Sequence, residues 1–445
     1  MAVKVKIPGF RFVQTALMFL AVLCSNFLEK NVAIGLVSMT GDSTDPSMPP
    51  TFNWSSRTKQ LLLSSFYWGF VVTQVPGGYL VKMFGSKAIA FTALFGSSLL
   101  SMLTTVLVNE KWQIFCAIRV AQGLFQGMLY PSMFEHLAKW SPNAEQTFHG
   151  TITLSGIDSG TVFAMGVGGL IAASTYGWPG IFYTAGGMGF FWCILWIKFG
   201  EASPEESRFI TEKEKQHIHQ NQDLEKHEHL AIPWRHILTS IPVYAMLFAT
   251  CTQNWGYSTM ISETSIYLNS VLRMDIESNA VFSALPHITS WTMSYVYLFA
   301  VHVLMKRKIL SINGIRKIFN TISATGPAII LIILGFIDEP HKFIAVILIA
   351  VCNGFNVAVI MGCNLNMIDL SPNFVSLLSG LAQTLSNFVA LLTPFVVAFV
   401  VGEDESDRAK WQIVFAISAG LFILGNAVFV FFGSTKIQKW NNLKS

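Results

Sequence analysis

Arg119 is the side chain in this sequence that most needs a chemical reason. It opens the stretch RVAQGLFQGMLYPSMF, residues 119–134, in otherwise apolar surroundings. A guanidinium inside a membrane is expensive, so it faces a bundle interior or a wet cavity. Its planar donor fork matches a carboxylate or a phosphate, which makes an anion site one reading. A boundary arginine that snorkels to the headgroups is the other. Gln122 and Gln126 follow it and can line a polar path, and Gly123 and Gly127 let neighbouring helices approach. A second charged group, Glu29–Lys30, sits inside CSNFLEKNVAIGLVSM, residues 24–39. Adjacent residues on one helix point about 100° apart, so a direct bridge between these two is awkward. They pair with other helices or face a cavity, where Glu29 either exchanges protons or acts as a structural lock; both readings stay open.

Two further groups belong to the same inventory. Glu263 lies in NWGYSTMISETSIYLNSVL, residues 254–272, where Asn254, Trp255, Tyr257 and Tyr267 put polar handles on an aromatic surface. Such a surface suits a solute pocket or an interfacial belt. Glu135 and His136 fall near the cytoplasmic end of their segment and suit gating contacts or ordinary interfacial placement.

These residues must be positioned by membrane helices. The 445-residue chain is 52% hydrophobic and only 12% charged, about half the charged share of a soluble domain. Apolar runs expected to span the bilayer are 13–38, 60–82, 86–108, 114–134, 150–172, 178–200, 240–265, 279–303, 318–338, 341–365, 373–401 and 411–433. Hydrocarbon offers a backbone no outside partner, so these are helices. The expected fold is all-α, with twelve transmembrane helices. A polar segment, 201–236, divides six spans (1–200) from six (237–445) and reads as a solvated central loop with one short surface helix. Its histidines, His217, His219, His227 and His229, fit a wet linker better than a closed metal shell. The six cysteines read as small apolar residues.

Lysines and arginines at 4, 6, 11, 82, 87, 139, 306–308, 316, 317, 436, 439 and 444 fall on alternate loops, which puts both termini in the cytoplasm. Acidic runs at 338–339 and 403–407 mark the opposite side. There the loop over 40–58 carries Asn53-Trp54-Ser55, a glycosylation acceptor. In VTQVPGGYLVKMFGSK, Gly77 and Gly78 allow close helix approach, and Gly326-Pro327, Gly380 and Pro394 add compliant positions in the second half.

No phosphate-binding loop, dinucleotide fingerprint, metalloprotease motif or nucleophile elbow is present. The chain therefore reads as neither an enzyme nor an ATP-driven pump, and it needs no cofactor. Basic residues are not interleaved with aromatics, which excludes nucleic acid as a partner. What remains is secondary transport of a small anionic solute across a lipid bilayer, coupled to sodium, to a proton or to the membrane potential.

Several segments resemble a known family. They are SSFYWGFVVTQVPGGYLVKMFGSK (64–87), RVAQGLFQGMLYPSMF (119–134), AIPWRHILTSIPVYA (231–245), NWGY (254–257), FSALPH (282–287), SINGIRKIFNTISATGPA (311–328), LNMIDLSPNF (365–374) and FGSTKIQKW (432–440). The chain is similar to major facilitator superfamily anion transporters of the sodium–phosphate cotransporter, sialin and vesicular glutamate transporter family. That resemblance implies two six-helix bundles, cytoplasmic termini and a central path for phosphate or an organic anion, sometimes by symport. It aligns Arg119 with the family's span-four arginine, the residue expected to contact substrate or organise its site, with Gln122, Gln126, Asn254 and Tyr257 as further binding residues. Glu29, Lys30, Glu135 and Glu263 are the candidates for ion coupling or gating.

The chain also departs from the family pattern. Glu29 stands where many relatives have an arginine, Gln126 aligns with a proton-coupling glutamate, and Gln253 falls near another arginine. These changes argue against a vesicular glutamate assignment and against simple proton symport. They motivate the alternative of a membrane anion sensor that binds without turnover. The membrane (plasma, lysosomal or vesicular) and the oligomeric state are left open.

Overall fold

A computed structural model describes residues 9–40, 49–108, 111–222, 232–273, 280–402 and 406–442. Its regular structure is helical throughout. Helices α1 (Phe10–Met39), α2 (Ser56–Leu107), α3 (Trp112–Gln126), α4 (Leu129–Trp140), α5 (Gln146–Leu154), α6 (Gly156–Ala172) and α7 (Gly177–Phe199) precede the central loop. The loop carries α8 (Glu212–Gln220) and α9 (Trp234–Ile237). After it come α10 (Ile241–Ser258), α11 (Thr264–Ser270), α12 (Ala280–Lys306), α13 (Ile312–Leu334), α14 (Lys342–Asn356), α15 (Cys363–Leu370), α16 (Val375–Val401) and α17 (Arg408–Phe432). Among the described residues, nine helical stretches are long and apolar enough to cross a membrane.

The irregular places coincide with the polar residues. α2 covers two expected spans and turns at Gly85, whose φ of 81° is open to glycine at no steric cost. The span bearing Arg119 is broken between α3 and α4 at Gly127–Met128. The span bearing Tyr257 passes through a π turn, Thr259–Glu263, between α10 and α11. The expected span 341–365 is also interrupted: a tight turn over Val357–Ile360 separates α14 from α15. Departures of this kind are tolerated inside a bilayer only where protein or water covers the freed backbone groups.

Helices α1–α7 pack mainly on one another, as do α10–α17. The two groups meet along a seam, with α2 and α4 against α16 and α5 and α6 against α12. The α2–α16 approach depends on small residues. A Cβ on Gly78 would sit 2.6 Å from the Ser376 carbonyl oxygen, and one on Gly380 would sit 2.5 Å from that of Gln74. The close approach expected at Gly78 is thus present, and Gly380, expected as a compliant position, is in this structure also required for close backbone contact.

The face that bears the described ends of the chain is braced by the central loop. The Glu214 carboxylate accepts from the first backbone N–H groups of α1, Phe10 at 2.9 Å and Arg11 at 3.1 Å, where the helix dipole favours negative charge. Arg11 reaches Glu214 at 2.9 Å and Glu145 at 2.7 Å. Gln222 donates to three carbonyls at the end of α4, those of Ala138, Lys139 and Ser141. The expected surface helix is therefore present, and it is docked. His217 and His219 face single carboxylates, Glu145 and Glu205; His227 and His229 lie outside the described residues.

The Glu145 carboxyl is pulled down to about 2, first by its hydrogen bond with His149 and next by that with Arg11, against the opposing effect of burial. A carboxyl depressed by folding stabilises the fold above its ordinary range and loses that contribution as pH falls toward the folded value. Glu145→Gln is therefore expected to cost on the order of 1 kcal/mol at neutral pH. The difference in thermal midpoint from the wild type, measured in detergent, narrows as the medium is acidified toward about pH 2. Identical midpoints at neutral pH would contradict this role.

Candidate functional site

α1 turns Asn26, Glu29 and Lys30 to one side, at helical spacing. Lys30 Nζ donates to Glu29 Oε1 at 2.7 Å, and Tyr67 of α2 donates to the same oxygen at 2.8 Å. The expectation that the two neighbours would not bridge is therefore corrected. Both side chains are long enough to bend toward Tyr67, which gathers them. Lys30 keeps 39% of its side-chain surface accessible, against 16% for Glu29. Across the seam, Tyr257 of α10 lies within electrostatic reach of Lys30 and Tyr67. Lys30 is thus a partly accessible cation beside α1 and α2, within electrostatic reach of Tyr257 in the second group of helices.

Arg119 lies behind this pair. It is 2% exposed, donates to Gln122 Oε1 at 3.0 Å and to the Glu29 backbone oxygen at 3.3 Å, and stacks 4.7 Å above the Phe66 ring. It lies against neither lipid nor headgroups. Its Nε and both side-chain amide atoms of Asn31 find no hydrogen-bond partner among the described residues. Gln122 continues to the Ser97 carbonyl at 3.4 Å, and Gln126 accepts from Ser25 at 2.7 Å. Both glutamines are 1% exposed, so in this conformation they tie α3 to its neighbours.

On the other side, Asn254 donates to Asn387 at 3.3 Å, and Asn387 donates to Gln74 at 3.4 Å, a chain from α10 through α16 to α2. Gln253 bonds Ser323 and Asn356 and is a neutral hub among α10, α13 and α14. Sequence reasoning missed Asp158 of α6 and His287 of α12, which meet at 3.0 Å. The only available signal was a carboxylate within a glycine-rich apolar segment.

The remaining charges close the seam nearer the face that bears the chain ends. Glu135 is 3.8 Å from Lys82 and 3.6 Å from Lys139. Lys82 in turn donates to the Asn373 carbonyl and lies over the Phe374 ring, which joins α2 and α4 to the start of α16. Glu263 is buried in the π turn. His136 is buried between Trp140 and Trp196. Arg316, counted above among the solvent-facing basic residues, is instead 1% exposed. It grips Asp369 through two bonds, of 2.7 and 3.3 Å, and reaches Met361 O and Thr147 Oγ1. An apolar groove on α12, lined by Trp291, Thr292, Tyr295, Val296 and Phe299, contains no charged group and is not the candidate site.

Residues 18–394 match the description of the Major Facilitator Superfamily. The chain belongs to that superfamily. It is 30% identical to a "Putative inorganic phosphate cotransporter" of Drosophila melanogaster, over 97% of this chain and 86% of that protein. It is 28% identical to sialin of Ovis aries, over 87% of this chain and 78% of that protein, and 28% identical to vesicular glutamate transporter 3 of Danio rerio, over 94% and 72%. Its fold matches a solved structure of the proton:xylose symporter XylE bound to 6-bromo-6-deoxy-D-glucose. That match has a TM-score of 0.71 and 15% identity and covers 96% of this chain and 97% of that one. This superfamily member is accordingly an integral multi-pass membrane transporter that carries a small solute by secondary active transport.

Proposed function

We propose that the solute is an inorganic or organic anion of the phosphate or carboxylate class, moved by alternating access between an N-terminal six-helix bundle (1–200) and a C-terminal one (237–445). The observation that carries this reading is Lys30, a partly accessible ammonium held by Glu29 and Tyr67 where α1 and α2 face Tyr257. Taken together, Lys30, Glu29 and Arg119 sum to one positive charge, and an anion neutralises it. Arg119 supplies potential from behind, fixes the α1 backbone at Glu29, and gains a direct contact when the bundles rock. Gln122, Gln126, Asn254 and Tyr257 replace part of the solute's hydration. Lys82, Glu135 and Asn373 form the gate on the closed side, and Glu263 stands at the opposite mouth. The relatives named for phosphate, sialic acid and glutamate transport support an anionic substrate.

The same reading places both termini and residues 201–236 in the cytoplasm and makes Asn53 a glycosylation site. Asn53 is exposed on the loop between α1 and α2. Purified protein in proteoliposomes, screened with radiolabelled phosphate, sialate, glutamate and urate at controlled voltage and pH, tests the proposal. Saturable uptake of at least one anion is expected, and Arg119→Ala is expected to lose it. Binding without flux for every anion would overturn transport in favour of a sensor, and normal uptake by Arg119→Ala would remove that residue's role.

A further inference from the structure

Asp158 and His287 are the two buried ionisable side chains that touch directly across the α6–α12 contact. Oδ1 of Asp158 lies 3.0 Å from Nδ1 of His287, and the residues are 8% and 6% exposed. Asp158 lies twelve residues after Gln146 and fourteen before Ala172, midway along its membrane stretch (158 − 146 and 172 − 158). An ionisable pair at that depth needs a reason beyond packing, because an apolar or neutral contact would hold two helices together at lower cost.

The surroundings narrow the reason. From α1 the facing charges are Glu29 and Lys30, both within electrostatic reach of Tyr257, and Tyr257 of α10 is also within reach of Asp158. Tyr257 is thus within electrostatic reach of both Asp158 and Lys30. On α12 itself Tyr295 meets Ser155, the residue between α5 and α6, at 3.2 Å. α5 presents His149, already bonded to Thr15 and Glu145. α14 has Cys352, turned toward Met260, and Lys342 at its first residue. α7 has Tyr183, Cys193 and Lys198, and the turn over Val357–Ile360 has no titratable side chain. No second cation among these touches Asp158, so His287 is its direct charge partner among the described residues.

We propose that Asp158 and His287 form the site that binds the coupling proton, so that anion movement is driven by a pH gradient; this rests on the anion-transport reading above. The proton count is simple. With a neutral imidazole the pair carries one negative charge, and with one added proton it is an imidazolium–carboxylate pair of zero net charge. A buried site favours the neutral total. The two partners sit on different bundles. Rocking that separates α6 from α12 takes the carboxylate away from the imidazolium, which then releases its proton to the side the cavity faces. Proton binding and closure of this seam are thereby linked, and each strengthens the other.

The test uses the full chain in proteoliposomes with radiolabelled phosphate, sialate and glutamate, and compares two modes. Net uptake is driven by an inward pH step of about two units, and counterflow exchange is measured without any gradient. In the wild type the pH step is expected to stimulate net uptake about tenfold. Asp158→Asn and His287→Gln are expected to abolish that stimulation while keeping counterflow within about threefold of wild type, and Asp158→Glu is expected to restore it. Wild-type stimulation in Asp158→Asn overturns the proposal. Wild-type counterflow with no response to the pH step also overturns it and leaves anion transport standing. Loss of counterflow in Asp158→Asn and Asp158→Glu alike makes the pair a structural clamp and overturns it as well. Absence of wild-type counterflow with every anion refutes the transport reading itself.

Discussion

Replacing Lys30 with alanine is expected to reduce anion uptake by at least tenfold while leaving the protein folded. Lys30, Glu29 and Arg119 together contribute one net positive charge, and Lys30→Ala reduces the sum to zero. The solute then loses the accessible donor and meets the Glu29 carboxylate, still held by Tyr67 at 2.8 Å. A charge-assisted hydrogen bond is worth about 1.5–3 kcal/mol, which converts to roughly ten- to a hundredfold in affinity. Lys30→Arg keeps the charge but spreads it over a wider group, so partial activity is expected. Lys30 is 39% accessible, and its removal costs its bonds to Glu29 and, at 3.4 Å, to Tyr67; Tyr67 still donates to Glu29, so expression and thermal midpoint stay close to wild type. Initial rates of uptake against concentration check this. An alanine variant with the wild-type rate and half-saturation would remove Lys30 from the site.

Arg316→Met is expected to act on the fold instead. Arg316 and Asp369 have side chains that are 2% and 6% accessible, and they share two hydrogen bonds. Removing one member of a buried pair strands the other, at a cost of about 3–5 kcal/mol. Arg316 also donates to the Met361 carbonyl at 3.0 Å, at the bend between α14 and α15, and to Thr147 on the far side of the seam at 3.3 Å. The variant is expected to lose most of its monodisperse fraction in detergent. A second change at the partner, Asp369→Leu, is expected to recover part of it, since two apolar side chains leave no stranded charge. A stable single variant would mean that water reaches Asp369.

Much of the scaffold was legible because membrane helices announce themselves locally. Hydropathy located the stretches and the break between 82 and 86 where the chain turns at Gly85, and glycine identified the close approach at Gly78. The breaks between α3 and α4 and between α14 and α15 were not legible, because tertiary contacts decide where an apolar helix can be interrupted. Charges were legible as being costly, but their partners were not. Arg316 looks like one more basic residue near a loop, and its place inside the protein depends on Asp369, 53 positions later. Asp158 and His287 are separated by 129 positions, and neither segment signals the other. Glu29 and Lys30 were misjudged in geometry because helical angle alone ignores how far long side chains bend when a third group, Tyr67, attracts both.

The central claim is that a water-accessible positive charge at position 30 lies on the solute's route. It is tested most directly by Lys30→Cys in a protein whose six native cysteines have been replaced, reconstituted and treated with an aminoethyl thiosulfonate. The expected result is labelling that a transported anion slows, accompanied by return of a measurable share of uptake once the attached ammonium restores the charge. Uptake that stays at the cysteine variant's level after complete labelling, or a thiol that reacts only after denaturation, would contradict it.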